Sequence, residues 1–462
     1  MTSTKYILAS VLLAIFVSQL VEADNAVLII IDDLGLDHLK LYGLREASTF
    51  AKTPNIDKLA ANGMTFENAY SYPVCTATRT SILTGRFGFR TGVGCLRNGP
   101  KSTEFTIAKA MGSAGIPNAC VGKWHVNTVE NGGTSSPNKM GFDYYAGVLE
   151  NASDYFDWEK TVNGITSQST NYLTSEFTDD AIEWVEKQGD KPFFLWLAHF
   201  AVHSPFHSPP SELHSLAREI DGARGVRNKN RAMFKAMLEA LDTEIGRLLN
   251  SLPLDTNIIF IGDNGGPTRV GEGPYDVGKR KGSLYQGGIN VPFIVSGPAV
   301  ASKGSRSDAL IHTVDLFSTI LELVGVDVGE AVPAGVKVDS LSFDSVLKGG
   351  IGGREYNYGE VFDCPMKGGG RAGGRAGGRG GNRRSQTGAT SRTTDDGDDG
   401  KEGRVARNDR FKLIDFSGSG GEELYDLKLD PFEASNLLNG TPLSSEASAA
   451  LDDLRNFLGT FS

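Results

Sequence analysis

Two pairs of side-chain oxygens stand where apolar runs end. Val27-Leu28-Ile29-Ile30-Ile31 leads into Asp32-Asp33, and Ile258-Ile259-Phe260-Ile261-Gly262 leads into Asp263-Asn264-Gly265. Aspartate and asparagine favour turns in any case, so either pair alone reads equally as turn chemistry. Two pairs at equivalent places favour four hard oxygen ligands for Ca²⁺ or Mg²⁺ over a thiophilic metal. Cations and imidazoles follow other apolar runs. Lys123 and His125 come after Ala119-Cys120-Val121-Gly122, His203 after Trp196-Leu197-Ala198-His199-Phe200, and Lys281 lies in a glycine-bearing loop ahead of Val291-Pro292-Phe293. A metal with lysines and histidines is what an oxyanion substrate requires. His199, inside its run, reads as structural, and His207 competes with His203 for the role of site histidine. Cys75 stands where a helix should begin, a place whose dipole and free amides favour an anion. It reads as a thiol nucleophile with His125 or His203 as base, or as a buried structural cysteine.

Side chains so far apart in sequence need a sheet to gather them. Apolar runs at 26–31, 119–121, 193–200, 258–261 and 291–295 alternate with helical patterns, the rhythm of a mainly parallel α/β sheet. In an open sheet of that kind, ligands bind outside the carboxyl ends of the strands. Thr53-Pro54 supplies a helix with its cap and first-turn proline, Ile56, Leu59 and Ala60 its apolar face, and Gly63 its stop. Apolar residues from Met233 to Leu249 recur at helical spacing and read as core. Beyond Gly350 the texture changes. Residues 367–384 are dominated by glycine and arginine and an acidic run, Asp395 to Asp399, follows, so about 367–403 reads as an unfolded surface insertion. Order resumes at Phe411-Lys412-Leu413-Ile414 and Glu423-Leu424-Tyr425-Asp426-Leu427. An apolar-periodic tail from Ala447 to Leu458 completes a small antiparallel sheet with a terminal helix.

Composition bounds the rest. With 462 residues, 39% of them hydrophobic and 22% charged, the chain can bury a large core and is not globally disordered. A formal net charge of −10 offers no basic field for nucleic acid or an acidic membrane, so an anionic substrate needs a local cationic pocket. Lys5, the apolar run Ile7 to Val17 and the small residue Ala23 read as a signal peptide over residues 1–23. The product is then expected to be secreted, with a lysosome-like compartment as the alternative, and free of the membrane once the signal is cut. Four cysteines, Cys75, Cys95, Cys120 and Cys364, are too few for a disulfide-built scaffold, and their spacing assigns no bridge. Asn151-Ala152-Ser153 is a glycosylation sequon, and Asn439-Gly440-Thr441 is a second, weakened by Pro442.

Cys75-Thr76-Ala77-Thr78-Arg79, continuing to Leu83-Thr84-Gly85-Arg86, resembles the sulfatase signature, in which the cysteine is oxidised to formylglycine. Asp32-Asp33-Leu34-Gly35, Thr53-Pro54-Asn55-Ile56-Asp57, Gly122-Lys123-Trp124-His125, Asp263-Asn264-Gly265 and Lys281-Gly282-Ser283-Leu284-Tyr285-Gln286-Gly287-Gly288 follow in that family's order. So do Glu423-Leu424-Tyr425-Asp426-Leu427 and Asp430-Pro431. The resemblance implies an alkaline-phosphatase-like α/β sandwich, with a large catalytic domain over residues 24–345 and a small C-terminal α+β domain over 346–462. It implies that Asp32, Asp33, Asp263 and Asn264 hold one metal ion, usually calcium with Mg²⁺ second, joined by the hydrated aldehyde from Cys75. Arg79 and Lys123 would hold that hydrate, His125 would act on its second hydroxyl, and Lys281 and His203 would grip the sulfate and protonate the leaving alcohol.

The implied activity is hydrolysis of sulfate monoesters, with sulfated glycans or polysaccharides as substrates, aryl sulfates accepted in vitro and a formylglycine-generating enzyme as maturation partner. A phosphodiesterase or phosphonate monoesterase of the same superfamily is one alternative, and an inert glycan-binding relative is another. The chain departs from the family pattern at Ala77, where proline is usual, at Gln286, where glutamate is usual, near Asn290, where an arginine is often found, and in the insertion.

Overall fold

Asn25–Ile31 forms strand β1, and all seven residues are buried. A strand apolar on both faces belongs in a sheet covered on both sides. Ala26, Leu28 and Ile30 point into one core and Val27, Ile29 and Ile31 into the other. The structure is a computed structural model that describes residues 24–46, 49–96, 98–362, 401–416, 420–440 and 442–461. The expected signal peptide and most of the expected insertion lie outside the described residues.

The remaining strands of the large sheet are β2 (Gly63–Tyr70), β3 (Asn118–Lys123), β4 (Tyr144–Val148), β5 (Trp158–Val162), β6 (Ile165–Ser169), β7 (Phe194–His199), β8 (Thr256–Gly262), β9 (Phe293–Ser296) and β10 (Ser305–His312). Their order is β10-β2-β9-β8-β1-β7-β3-β4-β5-β6. The centre, β8-β1-β7-β3-β4, is parallel. β9 runs antiparallel to β2 and β8, and β4-β5-β6 folds as an antiparallel meander at one edge. All five apolar runs read from the sequence are strands of this sheet. β9 begins at Phe293 rather than Val291, since Pro292 has no N–H for a ladder.

Two helices differ in detail from expectation. Helix Pro54–Ala61 starts at its proline, but Thr53 makes no side-chain cap bond, and Gly63 opens β2 instead of ending the helix. The helix expected from Met233 begins earlier, at Val226, and its first turns are polar and exposed. Near the C-terminus β11 (Asn357–Val361), β12 (Gly403–Arg407), β13 (Phe411–Phe416) and β14 (Gly421–Asp426) form an antiparallel sheet, against which helix Ser445–Gly459 packs. The two sheets share a core. Tyr72, Val74, Ala77 and Phe87, which flank or belong to helix Cys75–Thr84, pack with Tyr358, Leu413, Leu424 and Leu454. No helix among the described residues is long and apolar enough to cross a membrane.

Candidate active site

β1 and β8 are parallel neighbours with Ile31 opposite Gly262, so Asp32-Asp33 and Asp263-Asn264 leave the sheet side by side. Asp33 adopts φ +64°, the left-handed region that a non-glycine residue enters only when its surroundings hold it there. Gly265 permits close packing of the following loop, because a Cβ there would lie 1.8 Å from Gly287 O. The Asp33 N–H donates to Asp263 Oδ1 (3.1 Å), and Asn264 Nδ2 donates to Asp33 Oδ1 (2.8 Å). Asp32 Oδ1 and Asn264 Oδ1 are buried and accept no hydrogen bond. Buried acceptors left open in this way cost stability unless something fills them, and a hard divalent cation suits this oxygen set. Oxygens of Asp32 and Asp263 and the Cys75 sulfur lie within 4.8 Å of one another, as do ligand atoms of Asp32, Asp33 and His203. Both groups share Asp32, so among the described residues they mark one continuous ion site.

Three cations face these carboxylates. Arg79, on the first turns of helix Cys75–Thr84, donates from Nε (3.2 Å) and Nη2 (2.8 Å) to Asp263 Oδ2 and from Nη1 to Lys123 O (2.6 Å). Lys123 Nζ lies 2.5 Å from Asp32 Oδ2 and 3.8 Å from Cys75 Sγ. Lys281 Nζ lies 2.6 Å from Asp33 Oδ1. Burial opposes the charge of Asp32, yet Lys123, His203, Arg79 and Lys281 outweigh it and hold that carboxyl well below the ordinary range. Asp263 has the reverse fate: burial, with Asp32 beside it, raises it to about 7. Burial is the larger cause of that rise and the Asp32 carboxylate the second, against Arg79 and Lys123.

Cys75 is the first residue of its helix and is 1% exposed. Burial, aided by Asp32 and Asp263 against Lys123, pushes its thiol up to about 12. A protonated thiol is a poor nucleophile, so the ordinary thiolate reading of Cys75 is disfavoured. His125 Nδ1 is 3.0 Å from the sulfur. Burial, and then Lys123, hold the His125 ring well below its usual value, so it is neutral. His203 Nδ1 meets Ser204 O at 2.7 Å, and its Nε2 lies 3.8 Å from Asp33 Oδ2. The competition with His207 is resolved by packing: His207 lies against Tyr155, ring centroids 4.1 Å apart, and meets Tyr172 OH at 3.2 Å. His199 stays buried inside β7, as expected. Cys95 is disulfide-bonded, whereas Cys75 and Cys120 are free and buried.

Residues 24–326 match the family model described as Sulfatase. The chain belongs to the sulfatase family. It is 27% identical to mouse arylsulfatase J over 354 residues, which are 68% of this chain and 56% of that protein. It is 26% identical to an arylsulfatase of Clostridium perfringens over 508 residues, covering 94% and 93% of the two chains. Its fold is shared with Ps i-CgsB, solved in complex with k-i-k-neocarrahexaose (TM-score 0.74, 22% identity, 95% and 92% covered). It is also shared with a protein solved with its substrate D-glucosamine-2-N,6-O-disulfate (TM-score 0.71, 21% identity, 95% and 97% covered). The chain spans about 56 to 66% of the length of the first mammalian relatives it matches.

In this sulfatase-family chain all ten residues named from the sequence converge on one end of the sheet. Two of the departures lie away from the reacting position. Ala77 faces the shared core with the C-terminal sheet. Gln286 Oε1 accepts from Tyr70 OH (2.6 Å), and its backbone N–H donates to Glu433 Oε2 (2.6 Å). Sequence reasoning missed Thr78, whose Oγ1 donates to Asp263 O (2.7 Å), and Glu150, whose Oε2 is 3.7 Å from His125 Nε2. Thr78 lies within the signature and could have been read there. Glu150 follows β4, a strand whose sequence carries no distinctive pattern.

Proposed function

We propose that the chain hydrolyses sulfate monoesters of glycans, with aryl sulfates as surrogate substrates, using calcium and a formylglycine made from Cys75. The observation that carries this reading is the convergence of Asp32 and Asp263 on the Cys75 sulfur, with Asp33 and Asn264 beside them and with Asp32 Oδ1 and Asn264 Oδ1 left open. These four residues would hold the ion, which when bound supplies Lewis-acid polarisation of a sulfate oxygen. Formylglycine, as its hydrate, supplies a hydroxyl nucleophile where the thiol now stands. The chain's own residues do the remaining work. Lys123 and Arg79 keep positive charge near the nucleophile's position, and neutral His125, 3.0 Å from the Cys75 sulfur, can take a proton from the hydrate's second hydroxyl. Lys281 and His203, gathered around Asp33, face the place where sulfate oxygens and the leaving alcohol would lie. With three carboxylates set against three cations, a divalent ion leaves the site net positive, as an anionic ester requires.

Use of phosphate monoesters is disfavoured by the single ion position, whereas a phosphodiester or phosphonate monoester, singly charged like a sulfate monoester, is separated only by the paired assay below. Two-metal sites clamp the more highly charged phosphoryl group, whereas a sulfate monoester carries one charge. Secretion is part of the proposal and is supported by the N-terminal apolar run and by the disulfide at Cys95. A formylglycine-generating enzyme is the proposed maturation partner. The test uses protein in which mass spectrometry of the peptide ending at Arg79 shows sulfur replaced by oxygen. That protein should give a higher kcat/KM for an aryl sulfate than for the matching aryl phosphate, and Lys281→Ala should lose most of the sulfate activity. Faster turnover of a phosphate mono- or diester rejects the assignment, and activity of wholly unmodified protein rejects the formylglycine mechanism.

A further inference from the structure

Lys281 reaches Asp33 from a loop that belongs to no strand of the large sheet, so its ammonium is placed by whatever fixes that loop. Residues 279–288 close tightly on themselves. A Cβ at Gly287 would lie 2.4 Å from Lys279 O, and one at Gly288 would lie 2.1 Å from Ser283 O. A turn packed this closely transmits a shift at one residue to the others. On one side the Gly282 N–H donates to Pro73 O (2.9 Å), two residues before Cys75, and the Lys281 N–H donates to Gly266 O (3.3 Å). The other anchor is Glu433, in the segment after β14. Its Oε2 accepts from the Gln286 N–H (2.6 Å), and its backbone oxygen accepts from Lys279 Nζ. Its Oε1 lies 2.6 Å from Lys412 Nζ on β13, and both side chains of that ion pair are fully buried. Glu433 makes these contacts at φ +58°, where a non-glycine residue stays only if its surroundings hold it.

We propose that Glu433 is a positioning residue for the reaction: anchored by Lys412 in the C-terminal sheet, it fixes the loop 279–288 and through it the place of the Lys281 ammonium. The inference rests on the sulfatase reading of Lys281 given above, and adds to it a residue that touches neither the ion position nor the ester. Stability alone does not account for the pair. Two fully buried charges are costly to desolvate, and an apolar pair of the same volume holds a core together as well or better. An apolar pair has no direction, whereas one carboxylate shared between an ammonium and a backbone N–H fixes both. Lys281 needs that precision, since a shift of a few tenths of an ångström moves its charge off the oxyanion it would hold. The C-terminal sheet thus helps to set the cationic half of the site, although none of the ten site residues lies in it.

The test is a double-mutant cycle on protein carrying modified Cys75, assayed with an aryl sulfate. Burial already pushes the Lys412 ammonium down to about 8, with Glu433 upholding its charge against Arg407 and Lys279. In Glu433→Gln that lysine sheds its proton instead of remaining a lone buried charge. Glu433→Gln should lower kcat/KM by about tenfold to a hundredfold in the parent, and by less than about twofold in the Lys281→Ala background. Lys279→Met leaves the buried pair intact and should show the same pattern with a parent loss of about threefold. Equal losses in both backgrounds mean a general packing role and overturn the inference. Hydrogen exchange read by mass spectrometry needs neither activity nor modified Cys75. Peptides covering 279–288 should exchange at least about tenfold faster in either variant, while those of β1 and β8 keep the parent rates. Unchanged exchange of 279–288 overturns the inference even where activity falls. A parent protein with modified Cys75 that hydrolyses no sulfate ester rejects the sulfatase reading instead, and the exchange rates still decide whether Glu433 holds the loop.

Discussion

Asp315 and Asp263 are both buried aspartates set against an arginine, and their surroundings differ in one respect. Asp315 Oδ1 accepts from Leu341 N (2.8 Å) and Arg354 Nη2, and its Oδ2 accepts from His312 N (2.9 Å) and Arg354 Nε (2.8 Å). Its acceptor positions are filled by the protein. The cluster around Asp263 has equally strong donors in Arg79 and Lys123, yet Asp32 Oδ1 and Asn264 Oδ1 meet none, and Asp263 is raised to about 7. A carboxylate that serves packing is closed by its neighbours. A carboxylate cluster with open acceptors beside it is destabilised by them, and a cation bound there would recover the cost.

The sharpest way to break this contrast is to remove a ligand-facing carboxylate. Asp263→Ala should bind less than stoichiometric calcium by metal analysis and should lose at least about a thousandfold in kcat/KM for an aryl sulfate. Full calcium in that variant would place the ion elsewhere. Asp315→Ala attacks the closed pair instead. It strands Arg354, which is nearly buried, and should lower unfolding free energy in urea by roughly 3 kcal/mol while calcium stoichiometry in the folded protein is unchanged. Loss of calcium with an unaltered urea midpoint would erase the distinction between the two aspartates.

A smaller effect concerns a buried group that faces no charge. Burial pushes the His199 ring down to about 3 from 6.5. Between those values the unfolded chain binds one more proton than the folded chain, so stability falls as pH drops through 6.5. From about pH 7 to about pH 5 the loss should be about 2 kcal/mol. His199→Leu should therefore show a smaller drop in urea midpoint over that interval than the parent protein, and an equal drop would show that His199 is not the group responsible.

The legible part of the fold was the part whose residues obey one period. β1, β3, β7 and β8 are continuous apolar runs because both faces of the central sheet are covered, and the site residues sit where those runs end. The edge was not legible. β6, Ile165–Ser169, is largely exposed, and β2 mixes Glu67 and Asn68 into its course, so neither resembles a buried strand. Missing β4 concealed Glu150, because the same end-of-strand argument that found Lys123 and His125 needs the strand first. β11 escaped for a different reason: its ladder partner β12 lies about forty residues on, and Val361 pairs with Gly403 across that gap.

The core shared by Tyr72, Val74, Ala77 and Phe87 with the C-terminal sheet has a consequence in time. A ribosome emits the Cys75 segment long before Leu413, Leu424 and Leu454 exist to cover it. At about 5–20 residues per second that interval lasts some tens of seconds. In the folded protein Cys75 is 1% exposed, and its neighbours Val74 and Ala77 are packed against that sheet. If an enzyme oxidises Cys75, as proposed, it would meet the segment most openly during that interval, before the final hundred residues complete the shared core.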